Sequence, residues 1–321
     1  MAKRSLTGVK STGQPHLGNL LGAIRPALDL VDTHESFYFI ASYHALTTVH
    51  DRLAMRESVL DVAATWLACG LDPARTTLWA QHDVPEVCEL AWVLSCVASK
   101  SSLDKAHAFK DAVGKGFDPT VGLFSYPLLM AADILAFDTD VVPVGRDQKQ
   151  HIEMCRDLAI RFNHTFGDTL RIPEPHILDT VATVPGIDGQ KMSKSYDNHI
   201  ALFLTEKQLR KRIMSIVTDS TALEDPKDPE TCNVFALYRL FASAAETAAL
   251  AERYRAGGMG YGNAKQELFE VVDRQLASPR ARYAELRADP AHIQSLLAAG
   301  AAQARPVAHA TLRRVRDAIG L

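Results

Sequence analysis

Two short stretches hold residue types whose spacing suits phosphate chemistry. In Leu6-Thr7-Gly8-Val9-Lys10-Ser11-Thr12-Gly13-Gln14-Pro15-His16-Leu17-Gly18-Asn19 a strand-like run passes through a small-residue loop into a helix, with Leu17, Leu20, Leu21, Ile24, Leu28 and Val31 at helical spacing. Gly18 has no Cβ, so a planar base can lie against the backbone there, while His16 and Asn19 can offer donors to an α-phosphate and a ribose. A glycine and a satisfied histidine at a strand-to-helix turn are common, so this stretch alone decides little. The second stretch, Lys191-Met192-Ser193-Lys194-Ser195, follows the glycine-bearing Pro185-Gly186-Ile187-Asp188-Gly189-Gln190. Two lysines on one loop can close on β- and γ-phosphates and neutralise charge as pyrophosphate leaves. A solvated basic loop requires neither Met192 nor two serines. Together the stretches predict activation by a nucleoside triphosphate.

Two further stretches belong with them. Val144-Gly145-Arg146-Asp147-Gln148-Lys149-Gln150-His151 ends an apolar run and opens a helix whose buried face is predicted as Ile152, Cys155, Leu158, Ala159 and Phe162. Gly145 permits close approach of the backbone, Asp147 can accept from ribose hydroxyls, and Gln148 can bond an amino or carboxylate group; a polar helix cap is the bland alternative. In Ser125-Tyr126-Pro127-Leu128-Leu129-Met130-Ala131-Ala132-Asp133, Pro127 suits a first helical turn, and Tyr126, Met130 and Asp133 then share one face. An acid on so apolar a helix needs a donor; an indole N–H, which can only donate, is one solution, and a core lysine or a turn cap is another.

The elements that must position these residues follow from periodicity. Apolar runs at Phe37–Ala41, Thr76–Ala80 and Asp140–Val144 alternate with helical stretches, which predicts a parallel α/β sheet with its ligands at the strands' carboxyl ends. After about residue 200 the alternation stops, and alanine-rich stretches at 235–256, 263–277 and 279–298, separated by Asp225–Pro229 and Gly257–Gly262, predict helices. The chain of 321 residues can bury a large core, and its net charge of -3 advertises no global field for nucleic acid, neither RNA nor DNA. Five cysteines without a CxxC pair fit neither a disulfide framework nor a metal site, which is the expectation for a cytoplasmic protein. Neither an export signal nor an apolar run of the roughly 18 residues a membrane helix needs is visible.

These residues resemble a family. His16-Leu17-Gly18-Asn19 is similar to the HIGH signature and Lys191–Ser195 matches KMSKS, and with YPLLMAADIL, DxVPVGxDQxxHIExxRDLAxRFN and a GxGYG segment the chain resembles bacterial tryptophanyl-tRNA synthetases, class I aminoacyl-tRNA synthetases, over nearly its whole length. The resemblance implies a Rossmann-type parallel-sheet catalytic domain over 1–200, with a helical dimerisation insertion at about 104–170 and the KMSKS loop at 191–195, then an all-α anticodon-binding domain over 201–321. It implies activation of L-tryptophan with ATP and Mg2+, the ion arriving with ATP rather than in a protein metal site, and transfer to tRNA(Trp) by a homodimer. Carried over by residue, Asp133 bonds the indole nitrogen, Tyr126 and Gln148 hold the α-amino group with His44 nearby, and Met130, Val142 and Val144 line the ring pocket. Lys10, Ser11, Thr12, Gly18, Asn19, Gly145, Arg146, Asp147, Val184 and Lys191, Met192, Ser193, Lys194 and Ser195 match ATP-contacting positions; Lys191, Lys194, His16 and Asn19 are the catalytic set.

The chain departs from the family pattern at Lys10, where many members have glutamine, and at Leu6, where some have an aromatic wall. Ala112 stands where some members place a phosphate-binding lysine, leaving Lys10, Lys110 or Lys115 to substitute. Three alternatives are weighed: a tyrosyl enzyme, which must serve a hydroxyl that donates and accepts; a nucleotidylyltransferase, which needs no KMSKS; and a non-catalytic paralogue, which needs no phosphate-clamping lysines. For tRNA, the candidates are Lys207, Arg210, Lys211 and Arg212, and Arg305, Arg313, Arg314 and Arg316, although most basic helix faces are solvated surface.

Overall fold

The computed structural model describes residues 3–11, 14–104, 109, 113–114, 116, 118–145, 148–177 and 184–321. Its strands are β1 (Arg4–Lys10), β2 (Glu35–Ala41), β3 (Thr77–Ala80), β4 (Val141–Val144) and β5 (Glu174–Ile177). Its longer helices are α1 (Arg52–Ala68), α2 (Glu86–Val97), α3 (Val121–Leu135), α4 (Lys149–Phe166), α5 (Glu206–Met214), α6 (Asn233–Tyr238), α7 (Ala244–Ala256), α8 (Tyr261–Ala288) and α9 (Pro290–Ile319). The strands form one five-stranded sheet in the order β3-β2-β1-β4-β5, all pairs parallel. Register follows the apolar runs: Leu6 pairs with Phe37, Phe37 with Thr77, and Ser5 with Val141. A parallel sheet is covered on both faces, and β2 is buried from Ser36 to Ala41.

Packing divides the chain into two compact units that interleave in sequence. The first holds Met1–Gly13, Pro26–Asp179 and Arg287–Leu321; the second holds Gln14–Arg25 and Thr180–Leu286. The sheet and its core, including Phe37, Trp79, Leu90, Phe137, Ile152 and Phe162, belong to the first unit. The face of α4 read from spacing is the buried one, with His151 added to it. Helix α9 is also part of this unit: Ala301, Ala304, Ala308, Leu312 and Val315 join the same core, and Gly300 lies so close to β3 that a Cβ would fall on the Leu78 carbonyl.

The second unit is helical after residue 205. Thr205 caps α5, its hydroxyl and the Gln208 side chain satisfying each other's backbone N–H groups. The expected break at 225–229 falls outside helices, and that at 257–262 does so only over 257–260, since Tyr261 and Gly262 open α8. The GxGYG block has a structural part there: Tyr261 donates to Asp219 at 2.8 Å, and buried Lys227 sits over its ring while donating to the Ala222 and Asp225 carbonyls at 2.7 and 3.2 Å.

Two local expectations are corrected. Pro127 lies inside α3, not in its first turn, because Thr120 caps the helix earlier, accepting the Leu123 N–H at 3.2 Å. The stretches expected separately at 263–277 and 279–298 do not part there: α8 runs through Pro279 and stops before Asp289, whose side chain caps α9. Among the described residues no helix is long and apolar enough to cross a membrane.

Candidate active site

In the first unit, polar side chains gather where β2 and β3 end. His44 sits in the helical turn Ser42–Ala45 that follows β2, and Gln81 directly follows β3. Both meet Asp133 of α3, which is 2% exposed: His44 Nε2 lies 2.9 Å from one carboxylate oxygen, and Gln81 Nε2 donates to both at 2.8 Å. Gln81 is itself held by its oxygen, which accepts the Tyr43 N–H at 2.9 Å. Burial pushes the Asp133 carboxyl up, and His44 and Gln81 work against that shift. A carboxylate offers about four lone-pair sites, so it can still accept from an N–H of a ligand ring.

Tyr126, two helical turns before Asp133, reaches the same region. Its hydroxyl is 2.6 Å from His151 Nε2, its ring stands edge-on to His44 at 6.1 Å, and burial pushes its pKa up to about 12, so it remains a neutral phenol at neutral pH. Met130 and Val144 are half-buried and Val142 buried, all against the core that carries Asp133's helix. Ser11, at the end of β1, is fully buried with its hydroxyl unpartnered, and Lys10 Nζ donates to Thr47 at 2.9 Å. Gln148 is exposed at the start of α4, its N–H bonded to the Gly145 carbonyl at 3.0 Å.

In the second unit the two signature stretches meet. Pro15–Leu17 pairs with Ile200–Leu202: the Leu17 N–H donates to Ile200 at 2.9 Å and the Leu202 N–H to Pro15 at 3.1 Å. Asn19 folds back to accept the His16 N–H at 3.0 Å, and the helix continues through a π-turn at Leu20–Ile24. A Cβ on Gly18 would stand 2.9 Å from the His16 ring, so the glycine makes room for that ring, and 3.6 Å from Met192, which places the signature loop beside the signature helix. The His16 ring is buried with Nδ1 unpartnered, and its pKa falls to about 4, chiefly from burial and then from Lys194 and His199. Lys191 and Lys194 are exposed while Met192 is buried between them. The loop closes as a hairpin, with the Gly186 N–H on Gln190 at 2.7 Å and the Met192 N–H on Val184 at 2.9 Å. Two lysine heads and a neutral imidazole can together hold and polarise a polyphosphate.

Thr12, Arg146, Asp147, Lys110, Ala112 and Lys115 lie outside the described residues. Among the described residues no group of three or more His, Cys, Asp or Glu side chains gathers as a metal set. Of the basic clusters, Arg210 donates to Gln266 and Arg212 to the His199 carbonyl, while Arg305, Arg314 and Arg316 pair with Glu86, Asp138 and Glu89. Sequence reasoning missed Gln81, His151 and Asn198. Gln81 had a signal, since it is the first polar residue after an apolar strand; Asn198, which bonds the Ser193 N–H at 2.7 Å, had none in its local pattern.

Comparisons with known proteins agree with this arrangement. The family described as tRNA synthetases class I (W and Y) matches residues 2–277. The tryptophan–tRNA ligase of Rhodopirellula baltica is 51% identical, covering 99% of this chain and 99% of that enzyme. That of Pseudomonas putida is 50% identical, over 100% of this chain and 74% of its own length. Among solved structures, the tryptophanyl-tRNA synthetase of Campylobacter jejuni, complexed with ADP and tryptophan, superposes with a TM-score of 0.94 at 46% identity, covering 99% of this chain and all of that one. The Mycoplasma pneumoniae enzyme does so at 0.85 and 28%. A carboxylate at the strand ends and a lysine loop packed on a histidine–glycine turn are thus joined to full-length likeness, and the chain belongs to the class I tRNA synthetases, among the bacterial tryptophanyl-tRNA synthetases.

Proposed function

We propose that this protein activates L-tryptophan with ATP to tryptophanyl-adenylate and transfers the aminoacyl group to tRNA(Trp). The observation that carries the reading is the packing of Met192 of the lysine loop against Gly18 of the helix turn, which unites the two phosphate-handling stretches in one compact unit. In this reading Asp133, held by Gln81 and His44, accepts the indole N–H, while Tyr126 and Gln148 hold the α-amino group and Met130, Val142 and Val144 flank the ring. A tyrosine hydroxyl could also donate to Asp133 but would call for a further donor to its own oxygen, whereas an indole N–H only donates; the 51% identity to a tryptophan–tRNA ligase supports the tryptophan reading.

ATP is assigned to Lys10, Ser11, Thr12, Gly18, Asn19, Gly145, Arg146, Asp147, Val184 and the loop Lys191–Ser195. Two buried polar atoms without partners, Ser11 Oγ and His16 Nδ1, support that assignment, since each is ready for a ligand bond. Mg2+ would arrive on the phosphates of ATP. The tryptophan carboxylate attacks the α-phosphorus in line, Lys191 and Lys194 stabilise the departing pyrophosphate, and His16 and Asn19 bond the α-phosphate and ribose. Positioning and charge stabilisation supply the rate, so the first step needs no general base from the chain.

By role, the chain divides at about residue 200 into a catalytic domain and a helical domain for the anticodon, a division that packing does not follow, since Arg287–Leu321 belongs with the sheet and Thr180–Leu286 forms the other unit with Gln14–Arg25. Homodimerisation is assigned to the insertion expected at about 104–170, whose helices α3 and α4 flank β4 of the sheet rather than forming an all-helical insert, with Val121 at 80% and Ile160 at 48% as exposed apolar side chains that a partner copy would cover. The place of such a reaction is the cytoplasm, where tRNA is charged. ATP–pyrophosphate exchange tests the reading directly: exchange driven by tryptophan and not by tyrosine is expected, and a tyrosine preference would overturn it.

A further inference from the structure

The signature loop is tied down by one side chain outside it, that of Asn198. This residue is 2% exposed, and each polar atom of its amide is engaged within the second unit. Oδ1 accepts the Ser193 N–H at 2.7 Å; Nδ2 donates to the Asp188 carboxylate at 2.9 Å and to the Lys191 carbonyl at 3.1 Å. Its own carbonyl accepts the Ile187 N–H at 2.9 Å, and Gly186 leaves room for it, since a Cβ there would meet that carbonyl oxygen at 2.7 Å. Only a carboxamide offers an acceptor on one side and two N–H donors on the other at this length. The two bonds to the loop grip its backbone on either side of Met192, at Lys191 and Ser193, and so fix the directions in which the Lys191 and Lys194 side chains leave the chain.

We infer that Asn198 is the positioning residue of the lysine loop, and that the Asp188–Asn198 pair sets how Lys191 and Lys194 are presented to the phosphates of ATP. The inference rests on the proposed adenylate-forming reaction. Asp188 gives Asn198 a fixed orientation: its carboxylate can only accept, so it selects the amide rotamer in which Nδ2 also reaches Lys191 and Oδ1 turns to Ser193. The strength of this arrangement lies in the matching of donors to acceptors rather than in volume, which makes it testable by exchanging the two groups.

In Asn198→Asp the shape is kept, but two carboxylates face each other and the Lys191 carbonyl loses its donor. In Asp188→Asn combined with Asn198→Asp, the amide at 188 donates to the carboxylate at 198 and the pair returns with its roles reversed. Tryptophan-dependent pyrophosphate exchange is expected to lose roughly tenfold or more in kcat/KM for ATP in Asn198→Asp, with tryptophan affinity by equilibrium dialysis unchanged. The double variant regains a substantial part of that loss, roughly threefold or more, because the bond between the two side chains is restored. Trypsin cuts after Lys191 and Lys194, followed by mass spectrometry in the ligand-free protein, are faster in Asn198→Asp and slower again in the double variant. Unaltered ATP kinetics and cleavage in Asn198→Asp, a double variant no better than the single one, or a parallel loss of tryptophan affinity would each overturn the inference. Failure of the parent reading is distinguishable, since it appears as absent exchange in the unaltered protein, while the cleavage comparison needs no substrate.

Discussion

At the scale of single residues, His16 and Lys194 constrain each other. Burial, Lys194 and His199 hold the His16 imidazole at about 4 where an ordinary histidine titrates at 6.5. The unfolded chain therefore binds a proton below 6.5 that the folded chain refuses until about 4, so this residue's contribution to stability is complete above 6.5 and declines as pH falls through that window. In an NMR titration its Cε1–H signal should stay in the neutral position at pH 6, and a midpoint near 6.5 would contradict the burial argument. Lys194→Ala removes the second cause and should move the His16 midpoint upward. The same variant should slow tryptophan-dependent pyrophosphate exchange by orders of magnitude with little change in tryptophan affinity, because the lost ammonium acts on the leaving group. Gln81 makes the parallel case in the first unit. Gln81→Met strips a buried carboxylate of a donor and leaves the Tyr43 N–H unpaired, at a cost of about 1–3 kcal/mol in thermal stability. With that donor gone the Asp133 carboxyl shifts further up, so the variant should need a higher pH than the unaltered protein to reach the same tryptophan KM; superimposable pH profiles would count against Gln81 as Asp133's orienting partner.

At the scale of elements, the clearest case is the crossing of α9 over β3. A glycine inside a helix ordinarily costs about 0.5–1 kcal/mol against alanine, so Gly→Ala there should stabilise. At Gly300 the sign reverses, because the methyl group would fall on the Leu78 carbonyl of β3 and force helix and strand apart. Gly300→Ala should lower thermal stability by about 1–3 kcal/mol, the usual cost of overpacking, and calorimetry showing a higher Tm would refute the close crossing. Which elements could be read in advance follows from the physics of each. The strands β1 to β4 were legible because a parallel sheet demands apolar runs, and α4 because its buried face repeats with helical spacing. Strand β5 was not: it has four residues and contains Pro175, which passes only because β5 lies at the sheet's edge. The start of α3 was misread because Pro127 gives a strong local signal, whereas the Thr120 cap is a single hydroxyl seven residues earlier.

At the scale of the whole molecule, the site's chemistry was legible and its assembly was not. His16, Gly18, Lys191 and Lys194 were picked out by residue type, and their packing through Gly18 and Met192 follows from pairing of Pro15–Leu17 with Ile200–Leu202, a contact of long sequence separation with no local trace. The same holds for the carboxyl-terminal helix. Its arginines suggested a nucleic-acid face, yet Arg305, Arg314 and Arg316 pair with Glu86, Asp138 and Glu89 of the first unit, and its apolar side joins that unit's core. A basic helix reads alike whether its partners are phosphates or carboxylates supplied by residues about two hundred positions away. The consequence for stability is large. Ile293, Leu297, Leu312 and Val315 are buried on α9, and at about 1.5–3 kcal/mol each they rival the roughly 5–15 kcal/mol that holds a whole domain folded. A chain ending at Asp289 should therefore lose the fixed packing of the sheet itself, with near-UV circular dichroism and tryptophan binding collapsing together. Retention of both would mean that the first unit stands without its last helix, and that the ion pairs and apolar contacts of α9 add little to it.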